Sequence, residues 1–550
     1  MRSNLSPLLL VLAAACGGSS DVGDGAPSGE GGGGVSFGGA QDIGEFRSIL
    51  DRGEIPGPKT LDANGFFNEH FAAPPPATCG GMLCMSGGLS VGRAWLDSRH
   101  QATLQIAIST NVDPSTYTRL PMRLVVVVDH SGSMAADGRL DKVKVGLGTL
   151  IDNLKDEDRL AIISFDDVVT TNAPFSATLD RAALKATVAS LVPRGGTNIH
   201  DGLRAGLDLL GDAPPSDRQN RVIFLSDGLA TVGNTSQSAI IEMATSRITR
   251  GIGLTTIGVG NDFDAPLMRG LAERGAGNFY YLEDAVAAQE VFHDELDYFM
   301  SPLALDLQID ATASTGWEFR GVIGSTLWQA SPRTGKMSVP AVFLASRVDQ
   351  TPTPGGGRRG GGSMIFIELA ATSTSAGRVA DLKLSYRAPG SAERITDTIV
   401  LDYSRDPQET PEDPFLSYAG MAERYAMYNM FLGFKAATDL SVTNHTCAAT
   451  ALSATRKSAA TWLATHEADQ DLAADLMLAD QFLANLEAHG ARPNATLAGC
   501  PSLGNDGEPF DDHPPGHGGL YGCADAGAGA GAGWLALLGI ALVLVRRRRR

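Results

Sequence analysis

The chain has 550 residues, 62 acidic against 44 basic, and a formal net charge of -18. Such a length exceeds what one hydrophobic core serves, so several domains are expected. The acidic balance excludes a broad nucleic-acid-binding surface, which needs basic strips or patches. The basic run at 546–550 makes the rest of the chain more acidic still.

Arg2 precedes the apolar run 8–15, which ends in small residues directly before Cys16. This is the pattern of a short secretory signal over residues 1–16. The string LAAAC resembles a bacterial lipoprotein signal, which implies acylation at Cys16; the alternative is a plain signal peptide. Residues 17–40, rich in glycine and serine, read as a flexible tether. Residues 41–119 form a flanking region of short helices and turns (IGEFRSILDRGEIP, LDANGFFNEHF), in which Asp62 is a candidate helix cap. ATLQIAIS alternates as a strand does. Cys79, Cys84, Cys447 and Cys500 are an even number in an oxidising compartment; 79 with 84 would close a small loop and 447 with 500 would staple the helical region, a pairing the sequence leaves open.

Residues 120–300 alternate strands and helices. Strands are expected at 123–128, 160–165, 221–226, 254–259 and 278–281. Helices are expected at 139–154, 179–191, 199–210, 237–248 and 266–274, with a closing helix at 283–299. That rhythm implies an α/β, doubly wound and mostly parallel sheet. Residues 301–404 carry strand-like pieces between Gly/Pro/Ser turns, an antiparallel β domain whose glycine tract 355–362 is a flexible loop. Residues 405–496 are an alanine-rich α-helical domain with helices at 416–435, 451–465 and 468–488. Residues 497–533 are a Gly/Asp/Ala-rich linker.

Within the α/β region, LVVVVDHSGSM runs from a fully apolar strand into polar groups. A central parallel strand, buried on both faces, presents its carboxyl end this way. PRGGTNIHDGL puts Thr197 on a loop just before a helix, and FLSDG puts Asp227 at the end of another strand. Asp129, Ser131, Ser133, Thr197 and Asp227 are thereby expected at one sheet edge. Five hard oxygen donors, some direct and some through water, suit Mg²⁺ or Mn²⁺ and leave a position open for a partner's acidic group. His130 is expected to face solvent, because an oxygen set needs no imidazole. Asp166 and Asp167 are candidates to support these ligands or to touch the partner. Asp201 suits the first turn of the following helix, and His293 a helix surface.

DHSGS, GGTN and SDG, in this order on a doubly wound sheet, resemble the metal-ion-dependent adhesion site of von Willebrand factor type A domains. The resemblance implies that the five positions hold the metal and that the domain binds a protein presenting Asp or Glu. The segments FRSILDRGEIPGP and MAERYAMYNMFLGFKAAT resemble a group of bacterial secreted proteins with such a domain in mid-chain. No HExxH and no nucleophile elbow accompanies the metal motifs, and no glycine tract runs GxxxxGK[ST], so binding rather than enzymatic activity is expected. The alternative is a cell-envelope assembly or scaffold protein whose metal is structural or regulatory.

Residues 534–550 are an apolar run followed by the arginines. Twelve apolar residues make about 18 Å of helix, so a membrane span would draw on the Ala/Gly tract before it, with the arginines at the cytoplasmic face. GCADAGAGAG, the apolar run and the arginine cluster together resemble the C-terminal sorting tail of myxobacterial surface proteins, implying cleavage and lipid attachment at Cys523. The alternative is a permanent single-pass anchor. Either way an extracytoplasmic, membrane- or surface-anchored position in the cell envelope is expected.

Overall fold

The computed structural model describes residues 33–501, except 73–74, 113–119, 213, 216, 249–250, 261–262, 283–290, 293–301, 345–362, 390 and 467–468. The expected signal with Cys16, residues 17–32 of the tether, most of the helix at 283–299 with His293, the glycine tract and the C-terminal segment with Cys523 lie outside the described residues. Among the described residues, no helix is long and apolar enough to cross a membrane.

A seven-stranded mixed sheet organises the α/β region. Its strands are β2 (Gly39–Ala40), β5 (Met122–Asp129), β6 (Arg159–Phe165), β7 (Val169–Ala173), β8 (Gln219–Ser226), β9 (Gly253–Val259) and β10 (Asn278–Leu282). Their order is β2-β10-β9-β8-β5-β6-β7. All pairs are parallel except β6 with β7, an edge strand that the sequence pattern did not reveal. Strand β5 is apolar at every central position because Leu124 to Val128 are all buried, as a parallel strand between two helical layers must be. The register sets Asp129 opposite Phe165 and Val128 opposite Leu225, so the three strands β6, β5 and β8 end at one level.

Helices α3 (Arg139–Asn153) and α4 (Arg181–Ala189) cover one face of this sheet. On the other lie α5 (Ile199–Leu209), α6 (Gln237–Ile248) and α7 (Ala265–Arg274). Helix α5 approaches closely through glycine. A Cβ added at Gly206 would lie 2.4 Å from Val127 Cγ2, and one at Gly202 2.6 Å from the Phe165 ring. Gly206→Val is therefore expected to cost about 1–3 kcal/mol of stability by overpacking, read as a lower urea midpoint with unchanged slope.

The tether and the flank do not stand apart as the sequence reading had them. Residues 33–40 form β1 (Gly33–Ser36) and β2, with Val35 and Phe37 buried. Strand β1 pairs antiparallel with both β4 (His100–Thr110) and β14 (Thr334–Leu344), while β2 joins the α/β sheet beside β10. Strand β4 also pairs with β3 (Leu83–Arg93) and β15 (Met364–Ala371). The β domain expected at 301–404 thus takes strands from 33–110. Its other strands are β11 (Pro302–Ala313), β12 (Trp317–Ile323), β13 (Gln329–Ala330), β16 (Gly377–Arg387), β17 (Arg394–Tyr403) and β18 (Phe415–Leu416), giving eleven in all. One core joins Leu104 and Ile106 of β4 to Leu307, Val339 and Leu384. The physical reason is that the 302–403 strands leave apolar surface that β3 and β4, beside β15, complete with Leu83, Leu89, Val91, Leu104 and Ile106.

The helical region is completed by the flank in the same way. Helices α8 (Met421–Ser441), α9 (His445–Leu463) and α10 (Gln470–Ala488) share a core with α1 (Gly44–Asp51) and α2 (Ala63–Asn68). Asp62 caps α2, accepting from Gly65 N at 3.1 Å. His70 Nε2 lies 3.0 Å from Asp475 Oδ2, and Asp471 Oδ2 accepts from Phe71 N at 2.8 Å. Disulfides join Cys79 to Cys84 and Cys447 to Cys500.

The α/β region is latched to the eleven-stranded β domain. Glu273 of α7 accepts from Thr326 N at 2.9 Å and Ser325 Oγ at 3.2 Å, and burial pushes its carboxyl up to about 7. Arg221 of β8 stacks over the Phe343 ring at 4.5 Å and donates to the Ala276 carbonyl at 3.0 Å.

Candidate metal centre

The turn after β5 doubles back because Asp129 organises it. Its Oδ1 accepts from Ser131 N at 2.8 Å, and its Oδ2 accepts from Ser226 Oγ at 2.6 Å. The first bond closes an Asx-type turn; the second ties β5 to β8 across their carboxyl ends. Ser131 Oγ lies 3.0 Å from Ser133 Oγ, and Ser133 Oγ donates to Asp227 Oδ1 at 2.8 Å. Asp129, Ser131 and Asp227 are buried, whereas Ser133 opens to solvent.

The GGTN loop is stapled onto this turn by its backbone. Gly132 N donates to the Gly195 carbonyl at 3.1 Å, and Arg194 N to the His130 carbonyl at 2.8 Å. Gly195 takes a φ of +66°, and a Cβ there would lie 2.6 Å from an Asp167 carboxylate oxygen. Thr197 is held from behind: its amide donates to Thr231 Oγ1 at 2.9 Å, and its carbonyl accepts from Thr231 N and Val232 N. A Cβ added at Gly228 would be 3.8 Å from both Ser133 Oγ and Thr197 Oγ1. Those two hydroxyls therefore flank the Asp227-Gly228 turn. All five residues named from the sequence meet at the carboxyl edge of the sheet.

His130 departs from expectation. It is buried, with Nδ1 donating to the Val192 carbonyl at 2.9 Å and Nε2 3.9 Å from Asp166 Oδ2. The loop that brings Thr197 to the site lies over its ring, which a local sequence pattern does not specify. Asp166 is a brace: it accepts from Val168 N at 2.7 Å and Arg194 Nε at 2.6 Å, and its carbonyl accepts from Asn198 N at 3.0 Å. Burial works to raise its carboxyl, yet the bonds from Val168 and Arg194 outweigh it and hold it below the usual value. Asp167 accepts from Gly196 N at 3.0 Å. Asp201 stands in the first turn of α5, whose cap is Asn198.

Two contributors escaped the sequence reading. Ser226 carries the bond to Asp129, and its place in FLSDG was a usable signal. Arg139, the first residue of α3, donates through Nη1 to Asp227 Oδ2 at 2.9 Å; nothing local marks it. The strings GVSFG (34–38) and GLSVG (88–92) have nucleophile-elbow spacing. Their serines, Ser36 and Ser90, are buried in strands β1 and β3, not at a strand-to-helix turn.

The donor set fits a hard divalent cation. Among the described residues no three of His, Cys, Asp and Glu group as metal ligands; this centre is two carboxylates and three hydroxyls, oxygen only. Burial pushes the Asp129 carboxyl up to about 6 against the hydrogen bonds from Ser226 and Ser131, and the Asp227 charge adds to the rise. Asp227 is already paired with Arg139, so Asp129 is the buried carboxylate that a cation would still relieve. Around the site, Val168, Val192 and Leu229 each stand more than half exposed on the loops after β6, α4 and β8.

Residues 124–294 match the family model of the von Willebrand factor type A domain. Escherichia coli YfbK is 28% identical over 202 residues, 36% of this chain and 35% of that protein. The Synechocystis protein sll0103 is 30% identical over 193 residues, 35% of this chain and 44% of that protein. The chain thus spans less than half the length of either relative. A solved von Willebrand factor type A protein from Catenulispora acidiphila is 16% identical, covering 70% of this chain and 87% of that one with a TM-score of 0.47.

Proposed function

Residues 124–294 are a von Willebrand factor type A domain, and we propose that it serves this chain as a metal-dependent binding module. Mg²⁺ or Mn²⁺, held by Asp129, Ser131, Ser133, Thr197 and Asp227, supplies a Lewis-acid position for an Asp or Glu of a protein partner. The observation that carries this reading is the closed oxygen network, Asp129 through Ser131 and Ser133 to Asp227. It brings donors from two loops to one sheet edge. Three of the five donors are neutral hydroxyls, so a bound divalent cation keeps attraction for a partner's carboxylate.

The protein's role, in this proposal, is surface adhesion or protein recognition in the cell envelope, outside the cytoplasm, with membrane attachment through Cys16, Cys523 or the segment 534–550. The exposed Val168, Val192 and Leu229 support a contact face beside the metal, since the core of a protein interface is more apolar than its rim. A Mg²⁺-dependent pull-down from envelope extract, wild type beside Asp129→Ala, tests it. Capture by wild type only, abolished by EDTA, is the expected result; equal capture by both proteins would sink the reading.

A further inference from the structure

We propose that Glu273 makes the junction between the α/β region and the eleven-stranded β domain a proton-operated latch, closed when its carboxyl is neutral and loosened when it ionises. The latch lies away from the metal centre and governs how the region that carries that centre is held.

Glu273 stands in the last turn of α7, beside the amino end of β9, where Leu254 N donates to the Gly275 carbonyl at 2.9 Å. That end is across the sheet from the metal centre. The side chain leaves the α/β region and enters the loop between β12 and β13. Oε1 accepts from Thr326 N at 2.9 Å and from Ser325 Oγ at 3.2 Å, and Oε2 meets the Thr326 hydroxyl. The loop is pinned on its own side. Gly324 takes a φ of +103°, and a Cβ there would lie 2.1 Å from the Met364 carbonyl oxygen of β15. The contact closes over Glu273, which is 5% exposed.

The charges around this carboxyl do not offset its burial. Arg274, the next residue, favours ionisation from a distance, while its Nη1 donates to the Gly270 carbonyl at 3.2 Å. Asp62, the cap of α2, opposes ionisation and is itself engaged by Arg269, whose Nε lies 3.4 Å from Asp62 Oδ2. Arg269 also acts on Glu45 of α1, a second carboxyl that burial raises to about 7. From the β domain, Ser325 and Thr326 bring two hydroxyls and an amide. The carboxyl end of a helix disfavours a negative charge as well. A neutral carboxyl suits this setting: Oε1 keeps both of its donors, and the Oε2 hydroxyl donates to Thr326 Oγ1.

Burial raises the group from 4.5 to about 7 in the closed junction; opened to water, it returns to its ordinary value. Protonation therefore favours closure. That contribution is full below 4.5 and is lost as pH climbs through about 7. Arg221 keeps the two regions together meanwhile, since its bond to Ala276 and its stack on Phe343 need only its positive charge, which burial lowers no further than about 9. Ionisation thus frees the loop contact without parting the domains.

Amide hydrogen exchange of the full chain, read by mass spectrometry on peptides covering the 324–327 loop, tests the latch. EDTA is present throughout, and rates are corrected for the intrinsic pH dependence of exchange. In wild type, protection of this loop is expected to fall on the order of tenfold between about pH 6 and about pH 8. Glu273→Gln copies the neutral acid, with an amide oxygen for the two donors and an amide N–H for Thr326 Oγ1. Its loop should stay as protected as that of wild type at about pH 6, with no fall toward pH 8. Any pH dependence that arises at Glu45 would survive in this variant. If Glu273→Gln does not fold, Glu273→Met supplies a second neutral side chain, and pH-independent protection is expected of it too. Wild-type protection that does not fall with pH overturns the proposal. So does an equal fall in the neutral variant, or a glutamine variant less protected than wild type at about pH 8, which would make the ionised carboxylate the better latch.

Discussion

Asp129→Asn should abolish metal binding and at the same time leave the metal-free fold as stable as wild type or more so. The carboxyl of Asp129 is raised by burial from 3.8 to about 6. A group whose folded value lies above its unfolded one favours folding when protonated. That contribution is full below the unfolded value of 3.8 and is lost as pH climbs to about 6. The difference is worth about 3 kcal/mol for a group this buried. Metal-free wild type should therefore lose stability from this group between about pH 4 and pH 6, and the asparagine variant should not. Asparagine keeps the turn, since its amide oxygen accepts from Ser131 N and its amide donates to Ser226 Oγ. Added Mg²⁺ reverses the order, because it needs the carboxylate. At about a hundred times its dissociation constant it should stabilise wild type by about 3 kcal/mol, losing roughly tenfold in affinity per pH unit below about 6. Thermal melts from mildly acidic to neutral pH, with Mg²⁺ and with EDTA, read both effects. Equal Mg²⁺ stabilisation of the two proteins would exclude Asp129 as a ligand.

Phe66→Ala should destabilise the helical region by about 3–5 kcal/mol, the range for removing a fully buried aromatic side chain. Phe66 belongs to α2 in the N-terminal flank, yet its ring packs on Phe67, His70, Phe431 and Phe434. If the flank were a separate unit, the change would leave α8 to α10 intact. Because the core is shared, hydrogen exchange in α8 should accelerate along with that in α2. Protection of α8 unchanged from wild type would refute the shared core. The Cys447–Cys500 disulfide restrains α9 in both proteins, so any loss reads on aromatic packing rather than on the cross-link.

The α/β region was legible because its signals are local. A strand buried on both faces must be apolar throughout, so Val125 to Val128 announce β5. Loops at the carboxyl ends of such strands converge by topology, so DHSGS, GGTN and SDG point to one edge. Asp62 could be read as a cap because a cap and the amide it serves lie within one turn.

Partners distant in sequence were not legible. Residues 33–40 read as tether because glycine dominates them, and only pairing with β4, β14 and β10 makes them strands. Strand propensity reports fit to a half-buried surface, and that surface here lies on chain segments up to about three hundred residues away. The same cause hid the eleven-stranded sheet assembled from 33–110 and 302–416, and the burial of His130 beneath the Arg194–Thr197 loop. Arg139 shows the limit most plainly. Its residue type and helix position were visible, but its meeting with Asp227 depends on how a left-handed turn aims α3 at the end of β8. By itself, the sequence determined which oxygens gather at the sheet edge, because strand ends and turn chemistry are local. Tertiary structure alone decided what surrounds them and with what charge, because the depth and direction of a side chain are set by the elements packed upon it.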